Sequence, residues 1–390
     1  MIRKVIFWSH LVIGIAAGLV VFVLCLTGAL LAFERQSVDW MERSALALPP
    51  PGVTERLPAD ELVSRAALVE PGRPTSVRYA SDPRMPVRIG FANRTFVCLN
   101  AYTGAVISRG ATSWRAFYGF VREVHTSLAI PRDGAKTGHA VVDVCNLAFV
   151  FLILTGAFLW WPRKWNWRAL RNSIAVRFDV RGKARDWNWH NALGFWALIP
   201  VFFMAVTGVV LSYDAVDQRI RAFAREHDHK KASPPAPAPA APVVTAQKPD
   251  WSRMLANVEQ QVPGWRSISV GWSGGTQPTA SFTATRGYET EMPKLMAFTV
   301  DKATGAITNV QTWEDREAGL RARAISRTGH TGEILGLPGQ IVAGLGCLGG
   351  VMLVYTGFAL SWRRFFGRKR NNAPNLAADT LEESIAAVDA

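Results

Sequence analysis

Residues 5–33 read VIFWSHLVIGIAAGLVVFVLCLTGALLAF and contain no Asp, Glu, Lys or Arg. At 1.5 Å of rise per residue, a helix of this length crosses the roughly 30 Å hydrocarbon core of a bilayer. His10 and the pair Thr27-Gly28 punctuate the apolar run, and both recur. Residues 187–213 read WNWHNALGFWALIPVFFMAVTGVVLSY, with His190 and Thr207-Gly208 each 180 positions after His10 and Thr27-Gly28. Gly14 and Gly194, and Glu34 and Asp214, keep the same offset. Two more apolar runs, 137–162 (one charge, Asp143) and 334–362, carry Thr155-Gly156 and Thr356-Gly357, offset by 201. The chain thus reads as two copies of helix, outside domain, helix. The extra residues of the second copy fall in a Pro/Ala-rich stretch at 228–249, a semi-rigid linker with no core of its own.

The formal net charge of +14 invites a nucleic-acid reading, but its placement argues for topology instead. Arg3 and Lys4 precede the first span. Arg163, Lys164, Arg168, Arg171, Arg177, Arg181, Lys183 and Arg185 lie between the second and third, and Arg363, Arg364, Arg368, Lys369 and Arg370 follow the fourth. The positive-inside rule puts these segments in the cytoplasm. The expected order is span 5–33, outside domain 34–112, interfacial segment 113–136, span 137–162 and basic cytoplasmic loop 163–186. Span 187–213, outside domain 214–326, interfacial segment and span 327–362, and cytoplasmic tail 363–390 complete it. The first run exceeds a signal-peptide core and is kept as a span. Three of the four cysteines lie in spans and only Cys98 in a watery domain, so no disulfide framework is expected; without C-x-x-C-H, neither is covalent c-type haem.

The outside domains read alike. Helical periodicity at 58–70, ended by Pro71-Gly72, precedes short alternating runs at 76–79, 87–91 and 95–99. The second copy has a helix near 250–262, ended by Pro263-Gly264, and strands near 266–272, 279–285 and 295–300. Each set closes in a turn, Asn100-Ala101-Tyr102-Thr103-Gly104 or Asp301-Lys302-Ala303-Thr304-Gly305. Together with His125-Thr126, His330-Thr331, Trp161-Pro162-Arg163 and Trp362-Arg363, these motifs resemble PepSY domains joined to PepSY-associated transmembrane helices. The resemblance covers nearly everything except the linker and the tail after Arg370. The expected fold is an α-helical membrane protein: a four-transmembrane-helix bundle with an internal two-fold repeat, plus two small α+β periplasmic PepSY-like domains. The resemblance further implies a bacterial inner membrane, two non-covalent b haems and ferric-siderophore reduction.

Histidine inside a membrane is expensive and usually faces the bundle interior. His10 and His190, matched by the repeat, are the expected axial ligands of an inner haem. The plainer reading, a helix cap at the interface, suits one lone histidine better than a matched pair. The outer haem draws two ligands from His125, His139 and His330. Symmetry points to His125 with His330, and membrane depth to His139 with His330. Asn191 and Asp143 are candidate partners for the imidazoles, and Glu34 and Asp214 are read as structural ion-pair acids. His10 to Thr27 covers about 25 Å of helix, so one haem near each face divides the bilayer into two shorter steps. Gly344-x-Gly346-x-x-Gly349 matches a dinucleotide fingerprint in letters only and is read as close helix packing. Trp8, Trp160, Trp161, Trp187, Trp189 and Trp362 suit an aromatic belt, and His227-Asp228-His229 is read as solvated.

The expected activity is electron transfer from a cytoplasmic donor or reductase, across the lipid bilayer, to a periplasmic Fe(III)-siderophore, with no nucleic-acid partner. The alternatives are a non-enzymatic module whose outer domains bind a peptide or protease, and a haem b protein that exchanges electrons with quinol.

Overall fold

The computed structural model describes residues 1–43, 49–93, 95–109, 112–131, 134–161, 167–227, 249–272, 277–287 and 291–367. The Pro/Ala-rich linker, Asp228, His229 and most of the basic tail lie outside the described residues. Four helices are long and apolar enough to cross a membrane: α1 (Ile2–Leu31), α5 (Ala135–Trp160), α7 (Gly182–Ser212) and α11 (Gly336–Phe365). Large apolar side chains such as Leu19, Leu154, Ile199 and Leu345 stay exposed along them, as a lipid solvent demands.

The four form a closed ring in which α1 and α7 each pack against α5 and α11. Glycines on α11 let it approach both neighbours. A Cβ on Gly349 would stand 2.9 Å from that of Ala197 on α7, and one on Gly350 would stand 2.6 Å from the Cys25 sulfur on α1. The expected helix-packing role of this stretch is thereby seen in contacts.

Shorter helices lie at the end of the ring away from the chain termini: α2 (Glu34–Arg43), α4 (Thr112–Ser127), α8 (Asp214–Glu226) and α10 (Ala318–His330). The sequence reading placed all four in domain or interfacial segments, because α4 and α10 pack on spans, and α2 and α8 on α4 and α10, rather than on a core of their own. At the opposite end α6 (Trp167–Ile174) leads into a loop strapped onto α7. Asn188 accepts from the Arg177 N–H (2.8 Å) and donates to the Ala175 carbonyl (3.1 Å). The Trp189 and Trp196 indoles donate to the Arg177 and Ile174 carbonyls, both at 2.9 Å.

Beyond the ring lies a single antiparallel sheet. Its strands are β1 (Pro74–Ala80), β2 (Val87–Phe91), β3 (Phe96–Leu99), β4 (Val106–Ser108), β5 (Ser267–Gly271), β6 (Thr279–Thr285), β7 (Leu295–Asp301) and β8 (Ile307–Gln311). Their order is β4-β3-β2-β1-β5-β6-β7-β8, so the two expected domains are halves of one sheet joined at β1–β5. Helices α3 (Ala59–Ala67) and α9 (Trp251–Gln261) cover one face, burying Leu62, Ala66, Met254 and Val258 on Val77, Ile89, Ile268, Phe282 and Phe298.

The joint follows the repeat. Pro71-Gly72 recurs as Pro263-Gly264, 192 positions on, and the same step takes Val77 to Ser269 and Arg78 to Val270. The observed pairs are Val77↔Val270 and Arg78↔Ser269, each the other's image. Two copies of one edge have paired about a local dyad, as in an isologous dimer interface. That pairing removes an exposed edge from each half. Each half then closes in the turn noted above. The Asn100 side-chain oxygen accepts from Tyr102 and Thr103 N–H, and that of Asp301 from Ala303 and Thr304 N–H. Gly104 and Gly305 follow at φ +68° and +71°, where a Cβ would be strained.

Candidate functional site

Each spanning helix carries a Thr-Gly pair whose threonine is buried, and each of these pairs receives one histidine. At the end nearest the termini, His10 on α1 places Nδ1 2.9 Å from Thr155 Oγ1 on α5, and His190 on α7 places Nδ1 2.9 Å from Thr356 Oγ1 on α11. At the sheet end the receptors are the other two spans. His125 on α4 meets Thr27 Oγ1 on α1 at 2.8 Å, and His330 on α10 meets Thr207 Oγ1 on α7 at 3.2 Å.

The adjacent glycine lets each ring pass close to the helix. A Cβ on Gly156 or Gly208 would lie 3.3 Å from the Cε1 of His10 or His330; on Gly28 or Gly357 it would lie 3.5 Å from that of His125 or His190.

The hydrogen bonds determine which ring nitrogen holds the proton. A threonine hydroxyl has one proton to donate. Thr27, Thr155, Thr207 and Thr356 each donate it to the carbonyl four residues back, at 2.6, 2.7, 2.8 and 2.7 Å. Each hydroxyl oxygen is therefore left to accept, and Nδ1 of each imidazole must carry the hydrogen. His330 provides a second check, since its Nδ1 also lies 2.8 Å from the Met204 carbonyl, which can only accept. In all four rings Nε2 is left as the unprotonated nitrogen, with an outer partner fixing ring and tautomer as metal-binding histidines require. Burial, and then the neighbouring His330, push the His125 imidazole down to about 4; burial pushes that of His330 down as well. Both outer rings are thus neutral at pH 7.

The ring centroids of His125 and His330 stand 6.3 Å apart, tilted by 60°. Two imidazoles that each hold a first-row metal at about 2 Å, with ring radii of roughly 1.1 Å, would be separated by about 6 Å. His139, the third sequence candidate, is exposed on the first turns of α5. Among the described residues no group of three or more His, Cys, Asp or Glu is placed to hold a metal ion. A bare ion commonly takes four protein or water ligands, whereas a porphyrin supplies four nitrogens and leaves two axial positions. Paired Nε2 donors therefore suit haem iron better than a free ion.

The partners named from sequence are corrected by these contacts. Asn191 donates to the Trp187 carbonyl of its own helix at 2.7 Å, and the imidazole partners are threonines rather than Asn191 or Asp143. Histidine and threonine come from different helices, so helical spacing within one run could not reveal them. The recurrence of Thr-Gly at matched positions in all four spans was the available signal. Glu34 pairs with Arg122 on α4, but its counterpart is Asp217, one turn beyond Asp214, which is buried and pairs with Arg323 on α10. At the opposite end Asp186 is 1% exposed and lies between Arg185 (2.9 Å) and Arg363 (3.0 Å), tying the start of α7 to the end of α11 one turn before His190.

Comparison with curated proteins finds no match. The family model for the PepSY-associated TM region matches residues 7–364, which takes in all four spans, the sheet and every histidine discussed. With nearly its whole length matched, the chain belongs to the PepSY-associated TM region family.

Proposed function

We propose that the chain is a transmembrane di-haem b oxidoreductase that takes electrons from a cytoplasmic donor and reduces Fe(III)-siderophore on the periplasmic side. The observation that carries this reading is the fourfold His-Thr-Gly arrangement, two copies near each face, with every Nε2 left as a base. His10 and His190 would hold the inner haem, and His125 and His330 the outer one. Bound haem supplies one-electron transfer, with a potential set by its axial ligands and surroundings.

The chain's own residues fix the rings and shape the space. The threonines hold each imidazole in one tautomer and orientation, and the glycines admit it against the helix. The buried, largely apolar bundle excludes water from the path. On the periplasmic side one electron converts chelated Fe(III) to Fe(II), which oxygen-donor chelates hold more weakly, and the metal is released. The resemblance of the motifs to the ferrisiderophore reductase FoxB supports this substrate. The basic segments flanking the spans support an inner-membrane setting with termini inside and sheet outside.

The test is the visible spectrum of the purified full chain. A Soret band with sharp α and β bands on dithionite reduction, at two haems per chain, is expected. A colourless preparation after expression with haem supplied would overturn the reading. Stopped-flow reoxidation of the reduced protein by a ferrisiderophore, no faster than in chelate-free buffer, would remove the substrate and leave the haems.

A further inference from the structure

Span α1 ends beside a cleft that the histidine sites do not use. It has a volume of about 340 Å³ and is lined by Gln36, Ser37, Trp40 and Met41 of α2 and by Trp114 of α4. From Trp114 an exposed apolar strip, Phe117 and Phe120, runs along α4 toward the spans on which that helix packs. The cleft thus stands at the outer edge of the bundle with an oily approach from the membrane side, a level at which indoles are favoured.

A relay of side-chain amides decides which polar atom the cleft presents. The Ala32 carbonyl can only accept, and it takes a hydrogen bond from Gln340 Nε2 at 2.8 Å. Gln340 Oε1 therefore faces Gln36, which must present its own Nε2, at 2.5 Å. Gln36 Oε1 is left turned away from the relay, buried and with no donor among the described residues. Ser37 is committed as well, since its hydroxyl donates to the Phe33 carbonyl at 3.0 Å and keeps only lone pairs. A buried acceptor without a donor calls for a partner, so the unmet demand in the cleft is for an O–H or N–H. Trp40, 72% exposed, is held by few contacts and can turn aside to admit a planar ring.

We propose that this cleft binds a lipid-soluble hydroquinone. Its ring would lie against the Trp40 and Trp114 indoles, one O–H would donate to Gln36 Oε1, and its apolar tail would follow Phe117 and Phe120 to the bilayer. A quinone carries carbonyls in place of those hydroxyls and brings the acceptor no donor, so the reduced form is the one selected. The use of the site rests on the redox reading given above: one hydroquinone would reduce two ferric ions, losing two electrons and two O–H protons and leaving as the quinone. A donor from the bilayer would then serve alongside the cytoplasmic one. The binding site itself does not depend on that reading.

The probe is trimethylhydroquinone, measured by anaerobic equilibrium dialysis against the full chain in detergent. The protein is reduced beforehand with dithionite and desalted, so that no electron transfer consumes the ligand. The hydroquinone should bind at least tenfold more tightly than its dimethyl ether, which keeps the ring and loses both donors. Trimethylquinone, tested on the oxidised protein, should bind as weakly as the ether. Gln36→Leu, similar in size but without the acceptor, should lose the preference for the hydroquinone. Should that variant not fold, Trp40→Ala, at an exposed side chain, should still weaken binding several-fold. Equal affinity for the hydroquinone and either comparison compound would overturn the proposal, as would unchanged affinity in the folded variants. Absence of binding by a haem-loaded protein would overturn it too, and would leave the haem reading in place. Gln36-dependent binding by a colourless protein would sustain the site and remove the electron route.

Discussion

The two histidine sites use one receptor and are built differently. At the end near the termini both partners of each contact sit on spanning helices, His10 with Thr155 and His190 with Thr356. At the sheet end the threonines still belong to spans, but the histidines arrive on α4 and α10, helices that follow directly from the two halves of the sheet. The first site is therefore as rigid as the bundle itself. The second is held also by the sheet, through β4 into α4 and β8 into α10. The sheet-end site is thus the one whose geometry the sheet can influence. In both pairs the carbonyl three residues before the threonine also hydrogen-bonds the ring, Leu152 and Leu353 at one end and Leu24 and Met204 at the other.

The strongest way to break the comparison is to remove one ligand. His190→Ala should eliminate the haem near the termini and leave the other, and His330→Ala should do the reverse; haem per chain falls from two to one. Retention of both haems in His330→Ala would exclude the sheet-end assignment. Next in size, Phe282→Ala in the sheet core should cost about 3–5 kcal/mol of sheet stability, as large-to-small core changes do. Because α4 and α10 extend from the sheet, the sheet-end haem should then dissociate first on heating, while loss of both at one temperature would show the two ends to be equally dependent.

Smaller substitutions sharpen the contrast. A methyl at Gly208 would stand 2.9 Å from Asn146 Nδ2 and 3.3 Å from His330 Cε1, whereas one at Gly357 would make only a 3.5 Å contact with His190. Gly208→Ala should cost about 1–3 kcal/mol through overpacking, and Gly357→Ala much less, as read from thermal melts. Thr356→Val removes one acceptor of His190 Nδ1 and leaves the Leu353 carbonyl, so haem binding should weaken by roughly 10-fold, the low end of the effect of losing a ligand's outer partner. Thr207→Val should be milder still, because the Met204 carbonyl lies 2.8 Å from His330 Nδ1 and keeps a full hydrogen bond to it. Haem-transfer assays to an apo-acceptor protein would rank the two.

Much of the scaffold was legible because its signals are local. Apolar runs without charge mark α1, α5, α7 and α11, and period-two alternation marks β2, β6 and β7 nearly to the residue. Short amphipathic helices were missed, since α4 and α10 bury their apolar sides on spans far away in sequence. Strand β4, at three residues, is too short to display a period, and the Ile-Thr-Asn-Val-Gln of β8 does not alternate apolar with polar.

The candidate site divides along the same line. Repeat arithmetic paired His10 with His190 and proposed His125 with His330, because matched positions in a twofold repeat occupy matched places in space. It left His139 in competition; the packed bundle brings His125 and His330 to 6.3 Å and leaves His139 exposed. Likewise the joining of two β-units into one sheet depends on two edges meeting about a dyad, which neither half encodes alone. The hydrogen-bond network that leaves Nε2 free needs histidine from one helix and threonine from another. Periodicity records what a segment does with its own neighbours; pairings between segments exist only after the chain has folded.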